Sequence, residues 1–141
     1  MVVSQISEMV SQMQPVLHPD TYIYTFIPLN NLLASMLVSI LDKLHTLTRE
    51  TEGYSLLLPK SLAEQHSLPL DKSPSLRHIE LRVYSSLEGI GLTAAVAEAL
   101  TAQRIACNVI AGLQHDHVFV PESDAEKALQ TLLDLASGAS K

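Results

Sequence analysis

The sequence predicts an α+β protein made of two small modules in tandem, each an antiparallel sheet with helices on one face. Three observations carry that expectation. The stretch "RHIELRVY" (77–84) alternates, with Ile79, Leu81 and Val83 on one side and His78, Glu80, Arg82 and Tyr84 on the other. That is the period of a strand with one buried face. From there the chain reads β-α-β-β-α, and the segment beginning at Thr21 repeats the same order less cleanly.

In chain order, Val3, Ile6, Met9, Val10 and Met13 recur at helical spacing, and Pro15 and Pro19 are expected to end that helix. Residues 21–27 read as a strand rich in aromatic and β-branched side chains. Asn31 is placed to cap a helix reaching about Lys43. "HTLTRETEGYSLLLP" reads as two strands around a Glu52-Gly53 turn, where glycine tolerates positive φ. Pro59 fits the start of the short helix "KSLAEQHSL". "PLDKSPS" has the composition of a linker, so the modules are expected at 1–72 and 73–141.

After the strand at 77–84, "GLTAAVAEALTAQR" is rich in helix formers. "IACNVIAGL" is a strand apolar on both faces and interrupted by Asn108, and "HDHVFVP" is a shorter strand stopped by Pro121. In the last helix, "SDAEKALQTLLDLAS", Ser123 and Glu126 have the spacing of a capping box. Each copy lacks the last strand of a ferredoxin-like βαββαβ unit, so a missing edge is to be shared between halves or between chains.

The composition narrows the function. The chain has 141 residues, 47% of them hydrophobic, a formal charge of −6 and no basic cluster, which argues against a nucleic-acid surface. One cysteine, Cys107, permits no internal disulfide, and the first residues lack a signal-peptide pattern, so a cytoplasmic location is expected. No charge occurs between Asp20 and Asp42, about the length of a membrane span. Pro28, Asn30 and Asn31 divide it, and two buried elements joined by a turn are the better reading; no membrane partner is expected.

Candidate chemistry is sparse. His115 and His117 would share a strand face, but Asp116 would point away and zinc needs three or four ligands, so no metal or other cofactor is expected. Cys107 lies in an apolar run, and no converging acid, base and nucleophile is visible, so no catalytic residue is assigned. The stretch "YSSLEGIGLTAAVAEAL" places Gly89 and Gly91 at a strand-to-helix corner. It lacks the third glycine of a dinucleotide loop and a Walker lysine. What remains is either a tight corner or a donor nest, in which the free N–H groups of Ile90, Gly91, Leu92 and Thr93 favour a small carboxylate.

The residues "SSLEGIGLTAAVAEALTAQRIACNVIAGLQHDHVFVP" resemble the ACT-domain superfamily, and in particular small proteins of unknown function with two ACT-like modules in tandem. The first half resembles the partner module through "VLHPDTYIY" and "RETEGYSLLLP", while 29–47 departs from the pattern. The resemblance implies a non-catalytic regulatory module that binds a small molecule, an amino acid first of all, and often forms a homodimer. It also implies a ligand site at Glu88, Gly89, Ile90, Gly91 and Leu92, with Asn108 on the second strand. The rival readings are an assembly module without ligand and a metal-dependent enzyme using His115 and His117.

Overall fold

The computed structural model describes residues 2–31, 34–83 and 91–138. They fall into two compact units, Met1–Pro19 with Arg77–Lys141, and Asp20–Leu76. A long strand, β1 (Gln14–Pro28), gives residues to both.

The first unit contains α1 (Val2–Gln12), the start of β1, β4 (Leu76–Arg82), α4 (Leu92–Ala102), β5 (Asn108–Ala111), β6 (Asp116–Pro121) and α5 (Ala125–Ser137). Its strands run in the order β1-β4-β6-β5. β5 and β6 are antiparallel, with Asn108 opposite Phe119 and Ile110 opposite His117. Alternation sorts the side chains as the sequence predicts. Ile79, Leu81, Val118 and Val120 are fully buried and join Val83, Val96, Leu100, Ala128 and Leu132 in the core beneath the helices. At the position of a last ferredoxin-like strand, next to β4, lies the first part of β1. The second module's missing edge is thus supplied by the residues that precede the first module's strand pattern.

The second unit contains the rest of β1, α2 (Ala34–Ile40), β2 (Thr46–Arg49), β3 (Gly53–Pro59) and α3 (Lys60–Gln65). Its strands lie in the order β2-β3-β1, and both pairings are antiparallel. Ile23, Ile27, Ile40, Leu56, Leu58 and Ala63 form its core. Gly53 faces Pro28 across the β1–β3 pair. A Cβ there would collide with the Ile27 carbonyl and lie 2.9 Å from Pro28 Cα. Close approach of two backbones, rather than the positive φ expected of a turn, is what requires this glycine.

Several boundaries differ from expectation. Pro15 and Pro19 lie inside β1, which starts seven residues earlier than read, and α1 already ends at Gln12. Proline is tolerated in a strand where its missing N–H leaves no ladder bond unmade. Asn31 N–H closes a turn on the Pro28 carbonyl at 2.9 Å, and the residues between it and α2 lie outside the described ones. The Ser123–Glu126 capping box is absent. Residues Glu122–Asp124 form a 3-10 turn, and Asp124 at the N-cap of α5 makes no side-chain cap bond. The uncharged segment is only partly buried, because Val38 (72% exposed) and Leu41 (61%) stand outside the core that Ile40 enters. Among the described residues, no helix is long and apolar enough to cross a membrane.

Two helix ends close through a left-handed residue that is not glycine. After α3, Ser67 adopts φ +55°, and Leu68 N–H reaches the Ala63 carbonyl at 2.9 Å. After α4, Arg104 adopts φ +60°, and Ile105 N–H reaches the Leu100 carbonyl at 3.0 Å. Both are Schellman closures with a side chain at the left-handed position, where glycine is usual. In the second, buried Ile105 anchors the reversal in the core.

Candidate functional site

Of the six residues expected at the ligand loop, Glu88, Gly89 and Ile90 lie outside the described residues. Gly91 is the N-cap of α4 with φ +107° and ψ −16°, and no side chain caps the helix. This backbone conformation is strained for any L side chain. Gly91 also meets a neighbour that sequence reasoning missed. A Cβ at position 91 would lie 2.5 Å from Ile6 Cδ1 and 2.6 Å from Ile6 Cγ1, so the space it vacates is filled by α1. Leu92 is buried, and its side chain belongs to the core. Asn108 is exposed at the start of β5. Beside Ile6, a mostly apolar cavity of about 360 Å³ opens among α1, α4 and α5, with Val10, Ala95 and Leu135 in its walls.

The polar side of the β4 alternation builds a second feature. His78, Glu80 and Arg82 point away from the helix-side core, as do His117 and Phe119 on β6. His18 on β1 sets its Nε2 2.8 Å from Glu80 Oε1. His115 Nε2 stands 3.8 Å from Glu80 Oε2, and Arg82 Nη2 lies 3.6 Å from Oε1. The last two separations are ion-pair distances too long for hydrogen bonds. Arg77 holds this corner of the sheet by donating from Nε and Nη2 to the His18 carbonyl, at 3.1 and 2.9 Å. Glu80, Arg82 and His115, with Gln12, Gln14 and Val83, line a cavity of about 490 Å³. Val83 is also the last described residue before the glycine loop.

Behind Glu80 the rings stack. His78 lies parallel to Phe119 at 4.8 Å between centroids and to His18 at 4.7 Å. Its Nε2 is 2.9 Å from His117 Nδ1, a hydrogen bond in which one ring donates and the other accepts. That bond requires at least one neutral ring, since two imidazolium ions have only donors.

Burial pushes the His117 imidazole below its ordinary 6.5 and outweighs the attraction of Glu80 and Asp116. Burial raises the Asp116 carboxyl, against the pull of His117 and His115. Burial would raise Glu80 as well, but the His18 hydrogen bond and the charges of Arg82, His18 and His115 prevail and lower it. These directions fix a pH dependence. Near neutral pH the unfolded His117 takes up a proton more readily than the folded one. Its contribution is full above about pH 6.5 and is lost as pH falls through the lowered folded value. Glu80 adds a loss in the same direction at lower pH, below its ordinary 4.5. Asp116 opposes both, since its protonation relieves a buried charge. Urea unfolding measured from pH 7.5 to 5.5 is therefore expected to show falling stability, with His117→Gln flattening the slope. A slope identical in that variant would remove His117 as the cause.

Two family models described as ACT domain match the chain, at residues 3–73 and 77–134. The chain belongs to the ACT-domain family. ACT domains are regulatory, ligand-binding modules, and this protein is of that general kind. Among solved structures it is similar to a Vibrio cholerae protein of unknown function described as a possible transport protein. The identity is 33%, the match covers 96% of this chain and 99% of the other, and the TM-score is 0.80. An Agrobacterium tumefaciens protein is similar at 15% identity, covering 89% of this chain and 90% of its own, with TM-score 0.70. The ligand-free regulatory subunit of aspartate kinase from Thermus thermophilus matches at 10% identity, covering 86% and 97%, with TM-score 0.64. The last two likenesses concern the fold alone. No curated protein matches the chain.

The tandem ferredoxin-like arrangement expected from the strand and helix order is the one these ACT neighbours share. The Glu80 cluster was visible only as a polar strand face. Its partners His18 and His115 come from β1 and from the turn before β6, and no local spacing announces them.

Proposed function

We propose that the protein is a non-catalytic regulatory ACT module whose ligand is an amino acid. The observation that carries this reading is the left-handed, side-chain-free N-cap at Gly91, which leaves the first-turn N–H groups of α4 available to a carboxylate. On this reading Glu88, Gly89, Ile90, Gly91 and Leu92 form the ligand loop, Leu92 acting through its backbone, and Asn108 supplies a polar side chain from β5. A module boundary near residue 72 agrees with where the two family models meet. A non-catalytic role is supported by Cys107, a half-buried thiol whose pKa burial pushes up, away from the reactive thiolate. The charge of −6 supports a partner other than nucleic acid, and a cytoplasmic location accords with the single cysteine.

A thermal-shift screen against the twenty amino acids tests the ligand class. At ten times its dissociation constant, a ligand specific for the native state adds ~1.4 kcal/mol, or a rise of about 3–6 °C for a domain of this size. No shift with any amino acid at 10 mM counts against the reading.

A second reading has its own support. Val38 on α2 and Leu41 just after it are 72% and 61% exposed, an apolar surface suited to self-association. A homodimer is common to both readings. An assembly module alone predicts a dimer by light scattering whose melting temperature ignores every amino acid.

A further inference from the structure

We propose that the cavity over Glu80 and Arg82 is a binding site for the charged ends of an α-amino acid, on the sheet side away from the α4 N-terminus. The proposal takes its ligand class from the reading above and places the ligand on different residues.

The cavity presents both signs of charge side by side. Glu80 is a carboxylate whose side chain is only 15% exposed, and the Arg82 guanidinium stands 3.6 Å from it. A plain anion entering here meets the Glu80 carboxylate, and a plain cation meets Arg82. An α-amino acid carries its ammonium and carboxylate on one carbon, so opposite charges are offered ~3 Å apart. That spacing matches the Glu80–Arg82 separation with signs reversed. The ammonium would approach Glu80 Oε2, whose basic neighbour His115 is 3.8 Å away, while Oε1 is occupied by His18 at 2.8 Å. The carboxylate would take the Arg82 fork, which can bind a carboxylate with two parallel N–H bonds and which Glu80 does not engage at hydrogen-bond distance.

The rest of the cavity suits such a guest. Its volume of about 490 Å³ leaves room beyond the two charged ends. Gln12 and Gln14 bring amide donors and acceptors, so the remaining space favours a polar side chain over a large apolar one. The positions of Glu80 and Arg82 are set by β4 alternation, and His18 holds Glu80 from the neighbouring strand, so the charges are arranged before any ligand arrives.

Calorimetric titration of the whole protein with each of the twenty amino acids, followed by variants, tests this. For the tightest-binding amino acid, E80Q and R82Q are each expected to weaken binding at least tenfold. The N-acetyl and carboxamide derivatives of that amino acid, each lacking one charge, are expected to lose at least tenfold. Arg82 is half exposed, so R82Q is expected to keep the melting temperature of the parent and serves if E80Q folds poorly. Binding that survives both E80Q and R82Q overturns the proposal and leaves the amino-acid reading standing at the glycine loop. Absence of binding by all twenty overturns both.

Discussion

Phe119→Ala is expected to lower the unfolding free energy by about 3–5 kcal/mol, the range for truncating a fully buried aromatic side chain. Phe119 has no exposed surface and sits opposite Asn108 in the β5–β6 pair. Its ring lies within 7° of parallel to His78, and His78 in turn bonds His117. Truncation therefore removes both buried apolar area and the floor under a hydrogen-bonded histidine pair. Two measurements check this. Urea unfolding at pH 7.5 reads the stability loss. NMR titration of His117 is expected to show its pKa rising toward the ordinary 6.5, because burial is the leading cause of its depression. Phe119→Leu keeps most of the volume and is expected to lose about 1 kcal/mol. A stability change below 1 kcal/mol for Phe119→Ala would show that this ring is not packed as described.

Gly91→Ala is expected to cost about 2–4 kcal/mol, from two separable causes. A non-glycine residue at φ +107° carries strain of order 1–3 kcal/mol whatever surrounds it. The new methyl would also stand 2.5 Å from Ile6 Cδ1, and α1 must yield or Ile6 must change rotamer. A double-mutant cycle divides the two. In an Ile6→Ala background the collision disappears while the φ strain stays. Gly91→Ala should then cost ~1 kcal/mol less than in the parent, a coupling typical of residues in contact. Equal costs in both backgrounds would show that Ile6 does not fill the space beside the glycine. The same cycle, read with an amino-acid ligand present, tells whether the corner is only structural.

The fold was legible where local pattern and long-range packing agree. The alternation at 77–84 and the helix-rich run after Gly91 placed β4 and α4 within a residue or two, because one buried face dictates each period. The helix stops at Ser67 and Arg104 were not legible, since neither residue type signals a left-handed closure. Capping failed at Ser123, where a 3-10 turn competed successfully for the same residues. Prolines misled at β1, where they sit within a strand instead of marking its limits.

Of the candidate site, the glycine corner could be read from its residues, but its neighbour Ile6 lies 85 positions earlier in the chain. The Glu80 cluster depends on strand neighbours. His18 and Glu80 are 62 residues apart in sequence, and only the β1–β4 adjacency brings them to 2.8 Å. Polar alternation announces that a face is wet, but not which partners will meet on it.

That same separation has a consequence on the ribosome. The residues of β1 that pair with β4 are made first, yet their partner is not synthesised until the whole of Asp20–Leu76 has been added. At ~5–20 residues per second, the 62 residues from His18 to Glu80 take roughly 3–12 s. Throughout that interval Met9, Val10 and Met13 of the leading segment have none of the core they finally join. The nascent protein thus carries this apolar segment past the completion of a contiguous second unit, ahead of the core it joins. A ribosome-bound chaperone that recognises short apolar stretches would find a substrate there.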